Sequence, residues 1–196
     1  MTTTKEQPAI KIIRPGEGEH RGGLGEQFAF KLGPEDTGGL FSLTEIVVQP
    51  RHGPPPHIHH REDELFYVVE GDIAFSFQDR VFTRSNGFAV HLPKNIPHTF
   101  HNLGPRAGRL LVITIPCGFE QFLRAWARPI ENLETPPPPP CQADIDRLLA
   151  AAPDYGIELL PEAKFIPDHR VPPAERAYWV LGQMVTMKLT SRETNG

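Results

Sequence analysis

Three side chains in the stretch PPPHIHHREDELFYVVEG, Pro54 to Gly71, have the types and spacing of a metal site. In extended chain successive side chains point to opposite faces, so the imidazoles of His57 and His59 converge while Ile58 looks away. Glu64 follows after a bend and opens the apolar run LFYVV, which reads as a buried strand. A fourth ligand must come from elsewhere, and the stretch LPKNIPHTFHN offers His98. Imidazoles with one carboxylate suit a single divalent transition metal, and iron, manganese, nickel, cobalt, copper and zinc all remain open. Phe66 and Val68 share parity with Glu64, and Phe100 with His98. Phe75 and Phe77 lie together on one face of the next strand. These five side chains are expected to form an apolar substrate pocket around the metal.

The elements that must position these residues are short and β-like. QFAFKL from Gln27 and the run from Leu40 to Val48 flank the turn signal GPEDTGG and read as adjacent strands. RHGPPP stiffens the approach to the histidines. Strands are expected from Glu64 to Glu70, Ile73 to Phe77, Phe88 to Leu92, His98 to Asn102 and Arg109 to Ile115, separated by Gly, Pro, Asn and Asp turns. Many short strands without intervening helices indicate an all-β sandwich or barrel. The 22 prolines and 17 glycines of the 196-residue chain fit that class.

The domain division expected is a leader over 1–20, a barrel over 21–116, a helical extension over 117–160 and an extended tail over 161–196. Within the leader, Ile10, Ile12 and Ile13 could lay a short strand on the core. Phe119, Phe122, Leu123 and Trp126 follow helical spacing up to Pro129, and Ile145, Leu148, Leu149 and Ala152 repeat it up to Pro153 and Gly156. Pro136 to Pro140 make a stiff linker, placed at 135–140 in that division. The tail repeats an earlier segment: LGQMVTMKLTSRETNG from Leu181 matches LGEQFAFKLGPEDTGG from Leu24 at six of sixteen positions. A second copy of the domain is therefore expected to begin there, or the tail lends its strand to its own sheet or to a neighbour's, which makes a homodimer the expected assembly.

The motifs resemble those of the cupin superfamily. Two histidines one residue apart, a glutamate and then a glycine form its first motif, matched by His57, His59, Glu64 and Gly71. Gly87, Pro93, His98 and Asn102 match the second, with Asn95 where a glycine is usual, a substitution that asparagine's tolerance of positive φ should absorb. The resemblance implies an antiparallel jelly-roll barrel with His57, His59, Glu64 and His98 holding the metal inside. PPPHIHHREDE, GFEQFL and DYGIELLP further resemble the quercetin 2,3-dioxygenase-like branch. That likeness implies an oxidoreductase that joins dioxygen to a flavonol or related enol, with Glu64 both ligating and taking the substrate's hydroxyl proton.

Other classes stay in view. A non-oxidative isomerase or lyase acting on a hydroxylated acid would need an inward cation, for which Lys94 and Arg109 are the candidates. A metal-containing small-molecule binding or sensor domain would need no turnover. The net charge of −4 and pI near 6.1 leave no basic footprint for nucleic acid. No run approaches the ~20 apolar residues of a membrane span, and no signal peptide is evident, so a cytoplasmic location is the default. Cys117 and Cys141 belong to no paired motif and read as packing or free thiols. His60 and Glu62, beside the bend, read as solvated, as do His20, His52, His91, His101 and His169.

Overall fold

A computed structural model describes residues 10–77, 80–137 and 141–160, and in it the alternating runs become twelve strands. In chain order these are β1 (Glu19–Gly23), β2 (Glu26–Leu32), β3 (Ser42–Val48), β4 (His57–His59), β5 (Asp63–Glu70), β6 (Ile73–Phe77), β7 (Arg80–Arg84), β8 (Ala89–Leu92), β9 (His98–Asn102), β10 (Gly108–Ile115), β11 (Arg128–Pro129) and β12 (Ile157–Leu159). Three helices accompany them: α1 (Pro34–Thr37), α2 (Phe119–Trp126) and α3 (Gln142–Ala151). The strands form a seven-stranded sheet, ordered β11-β1-β2-β3-β10-β5-β8, and a five-stranded sheet, ordered β12-β4-β9-β6-β7. Every pairing is antiparallel. This is the all-β jelly-roll barrel that the strand pattern and the resemblance lead one to expect.

Inward alternation packs the two sheets against each other. Phe66 on β5 meets Phe75 on β6 and Phe100 on β9 at centroid separations of 5.5 and 5.4 Å. Val68, Ile73 and Leu110 are fully buried beside them. Among the turns with left-handed backbone, two bear on the site. Asn95, at φ 65°, keeps the turn that the usual glycine would make. Leu24 and Gly25, at φ 54° and 82°, form the two-residue hairpin between β1 and β2.

The segment after the barrel is more than an appendage. Its helical spacing is realised in α2 and α3, whose Phe122, Leu123, Trp126, Ile145 and Leu148 join the core. It also returns two strands, β11 beside β1 and β12 beside β4. Strands of two and three residues carry too little alternation to stand out in sequence, and only the sheet edges they pair with define them. A correction concerns the leader: Ile10 and Ile12 are exposed and form no strand. Three isoleucines are too few to anchor a polar leader. The repeat beginning at Leu181, His169 and Pro138 to Pro140 of the proline run lie outside the described residues. Among the described residues, no helix is long and apolar enough to cross a membrane.

Candidate metal centre

Strand β4 presents His57 and His59 on one face, and His57 pairs directly across the sheet with His98 at the start of β9. Glu64 comes from the facing sheet, where β5 lies between β10 and β8. Strand alternation and sheet facing thus bring together the four residues that the sequence separates by up to 41 positions. One ligand atom from each lies within 4.8 Å of those of the others, and all four residues are buried.

The tautomers favour a cation at the centre. His57 Nδ1 donates to the Pro55 carbonyl at 2.8 Å, and His98 Nδ1 donates to the Ile96 carbonyl at 2.9 Å. Each Nδ1–H is therefore spent on backbone, which leaves the Nε2 lone pairs free to ligate. Glu64 Oε2 lies 2.8 Å from His98 Nε2 and 3.4 Å from His59 Nε2. None of these three atoms has a hydrogen-bond partner of acceptable geometry among the described residues. Buried lone pairs converging without a proton donor fit a divalent transition metal, and the set has the make-up of a metal site.

Electrostatics divide the group. Burial would raise the Glu64 pKa, but His59, His98 and His57 outweigh it and hold it down at about 2. Burial, reinforced by the neighbouring histidines, depresses His57 well below the ordinary range and keeps it neutral. Burial also acts to lower His98, yet the adjacent Glu64 carboxylate raises it overall.

Two readings of the surroundings need correction. Glu62 is not solvated: it is buried, with Oε2 3.7 Å from His59 Nδ1. At that separation the two atoms share no hydrogen bond, and the carboxyl group faces the rear nitrogen of the ring. The bend after β4 turns Glu62 inward, which strand parity could not reveal. His101 is half-buried, and burial with His52 nearby pushes its pKa down to about 4. His60 is exposed as expected, bonded to Asn95 and Glu158 at 2.8 Å each.

His57 and Glu64 open onto a cavity of about 60 Å³ between the sheets and the α2–α3 segment. Of the five residues expected to line a pocket, Phe66 and Phe100 do so. Val68 and Phe75 sit in the core, and Phe77 stacks on Phe82 at 5.2 Å. The cavity's other walls come from residues that strand parity could not place there, among them Phe119, Phe122, Leu123, Trp126 and Leu148. One polar residue of the wall, Glu26, also escaped the sequence reading. Its signal was parity with Phe28 and Phe30, which puts a carboxyl in phase with two core phenylalanines.

The fold and the buried ligand set define a cupin. Residues 44–114 match the Cupin domain family, so this part of the chain is a cupin domain of the cupin superfamily. Among known structures, a predicted oxalate decarboxylase from Thermotoga maritima shares the fold, with a TM-score of 0.51 and 18% identity over 54% of this chain and 99% of that one. The polyketide cyclase RemF from Streptomyces resistomycificus is 27% identical over 55% of this chain and 80% of that one, with a TM-score of 0.47. The uncharacterized protein MJ1618 of Methanocaldococcus jannaschii is 25% identical over 75 residues, which are 38% of this chain. The chain spans 60% of the length of that curated relative.

Proposed function

We propose that the protein is a metal-dependent oxidoreductase of the quercetin 2,3-dioxygenase-like kind, joining dioxygen to an enol-bearing small molecule. One observation carries this reading: a buried three-histidine, one-glutamate set opens through His57 and Glu64 onto a wall that is otherwise nearly all apolar. A transition metal held by His57, His59, Glu64 and His98 would supply Lewis acidity and one-electron chemistry. The chain's own residues do the rest. Phe66, Phe100, Phe119 and Phe122 exclude water and grip an apolar ring. Glu64, ionised at neutral pH, stands where it can accept the proton of the enol hydroxyl, leaving the electron-rich enolate that dioxygen attacks.

The free volume bounds the substrate. About 60 Å³ is well below the ~150 Å³ of a cavity that takes benzene. A ring-bearing substrate therefore enters by displacing the wall built from α2, α3 and β12, and small enols need the least displacement. An isomerase or lyase acting on an acid is disfavoured because, among the described residues, no lysine or arginine lines this cavity. Arg109 pairs with Glu45, and Lys94 is exposed.

Oxygen uptake by the metal-loaded protein, measured with a panel running from small enolisable diketones to flavonols, tests the reading. Uptake that depends on both substrate and metal is expected, with its loss in His98→Ala. A loaded protein that binds these compounds but consumes no oxygen would be a binding module instead.

A further inference from the structure

The metal site accounts for His57 and Glu64 on the cavity wall, but two other polar groups there remain unused. Glu26 Oε1 and the indole Nε1 of Trp126 are both buried, and neither has a hydrogen-bond partner among the described residues. Leaving a buried donor and a buried acceptor unpaired is costly, so each such group calls for an explanation.

The two groups belong to one corner of the barrel. Glu26 is the first residue of β2 and pairs with Gly23 across the hairpin. The Trp126 ring packs over Gly23, where a Cβ would come within 2.7 Å of it, and lies edge-on to Phe28 at a centroid distance of 5.8 Å. Phe28 shares the inward face of β2 with Glu26. Trp126 thus packs over the cross-strand partner of Glu26 and against the next residue on its face of β2. The hairpin turn holds Leu24 at φ 54°, where glycine or asparagine would be relaxed, and its side chain is buried in the same cavity wall.

The structure assigns Glu26 and Trp126, we infer, as a polar anchor that recognises a hydroxyl or carbonyl oxygen on an otherwise apolar ligand, a second oxygen distinct from the one that faces the metal ligands. The chemistry is complementary. Burial pushes the Glu26 pKa up to about 8, so at neutral pH its carboxyl is protonated and offers both a donor and an acceptor. The indole offers a donor only. A phenolic or enolic hydroxyl can accept from one group and donate to the other, whereas a hydrocarbon edge leaves both unpaired. Sites built this way discriminate strongly against the analogue that lacks the oxygen. The inference goes beyond the proposed oxidation, because it holds whether the ligand is turned over or only bound.

Anaerobic calorimetric titration of the holoprotein separates the two claims, since turnover is absent. The probes are tropolone and 3-hydroxyflavone, each compared with its ring-hydroxylated analogues. In the parent protein at least one added hydroxyl is expected to tighten binding about tenfold or more. That preference should fall to within about twofold in Glu26→Leu and shrink in Trp126→Phe, which keeps the packing and loses the N–H. Metal content and a cooperative melt establish that each variant is folded, and Glu26→Gln, nearly identical in shape, gives a second reading. The inference is overturned if the parent binds none of the probes, if it shows no preference for an added hydroxyl, or if the preference survives in Glu26→Leu and Trp126→Phe.

Discussion

Replacing Glu26 with glutamine should stabilise the protein, by an amount that depends on pH. An ordinary glutamate titrates at 4.5, while burial without any compensating partner raises Glu26 to about 8. Between those values the native state holds a proton that the unfolded chain has released, so stability falls as pH rises. Each pKa unit is worth about 1.4 kcal/mol. The penalty is therefore below about 1 kcal/mol at pH 5, about 3 kcal/mol at pH 7, and levels off near pH 8. Glutamine is neutral throughout and is buried as unpaired as the protonated acid, so the two proteins should match below pH 5. For a chain of this size about 3 kcal/mol corresponds to roughly 6–12 °C in Tm. Thermal melts of Glu26→Gln and the parent at pH 5, 6, 7 and 8, with chelator and without ligand, measure the difference directly. A gap that is constant with pH, or a variant less stable than the parent at pH 8, would refute the reasoning by showing that the carboxyl is solvated or paired.

Three further outcomes are expected. Elemental analysis should find about one transition metal per chain in the parent and none in His98→Ala, because loss of one of four ligands also leaves Glu64 beside an empty position. Glu62→Gln should weaken metal affinity about 10- to 100-fold without unfolding the protein, as read by competition with a chromophoric chelator, because its carboxyl group lies 3.7 Å from His59 Nδ1, close enough to strengthen that ring as a donor to a cation. Gly53→Ala should destabilise by ~2 kcal/mol or more in urea titrations, because its Cβ would overlap the Phe100 carbonyl oxygen, which belongs to the backbone of β9 and cannot swing aside.

Much of the barrel is local and so could be read from the chain. Strands β2, β3, β5, β6, β9 and β10 follow from alternation and from the turns between them. His57 and His59 share a face because any strand with that spacing puts them there. Asn95 was legible as a left-handed turn residue because its side chain tolerates that conformation. Glu62 was not legible, because parity fails at a bend and only the packed backbone shows a side chain turning in behind His59.

The ligand types, their order and the all-β class follow from residue chemistry and strand period, which are written position by position. Tertiary structure alone decided what those ligands face. It set His57 opposite His98 and brought Glu64 across from the other sheet. It folded α2, α3 and β12 back to form the cavity wall, and it packed Trp126, a hundred residues further along, over the hairpin that carries Glu26. Such contacts depend on which surfaces bury one another, a property of the whole packed chain that no local pattern records.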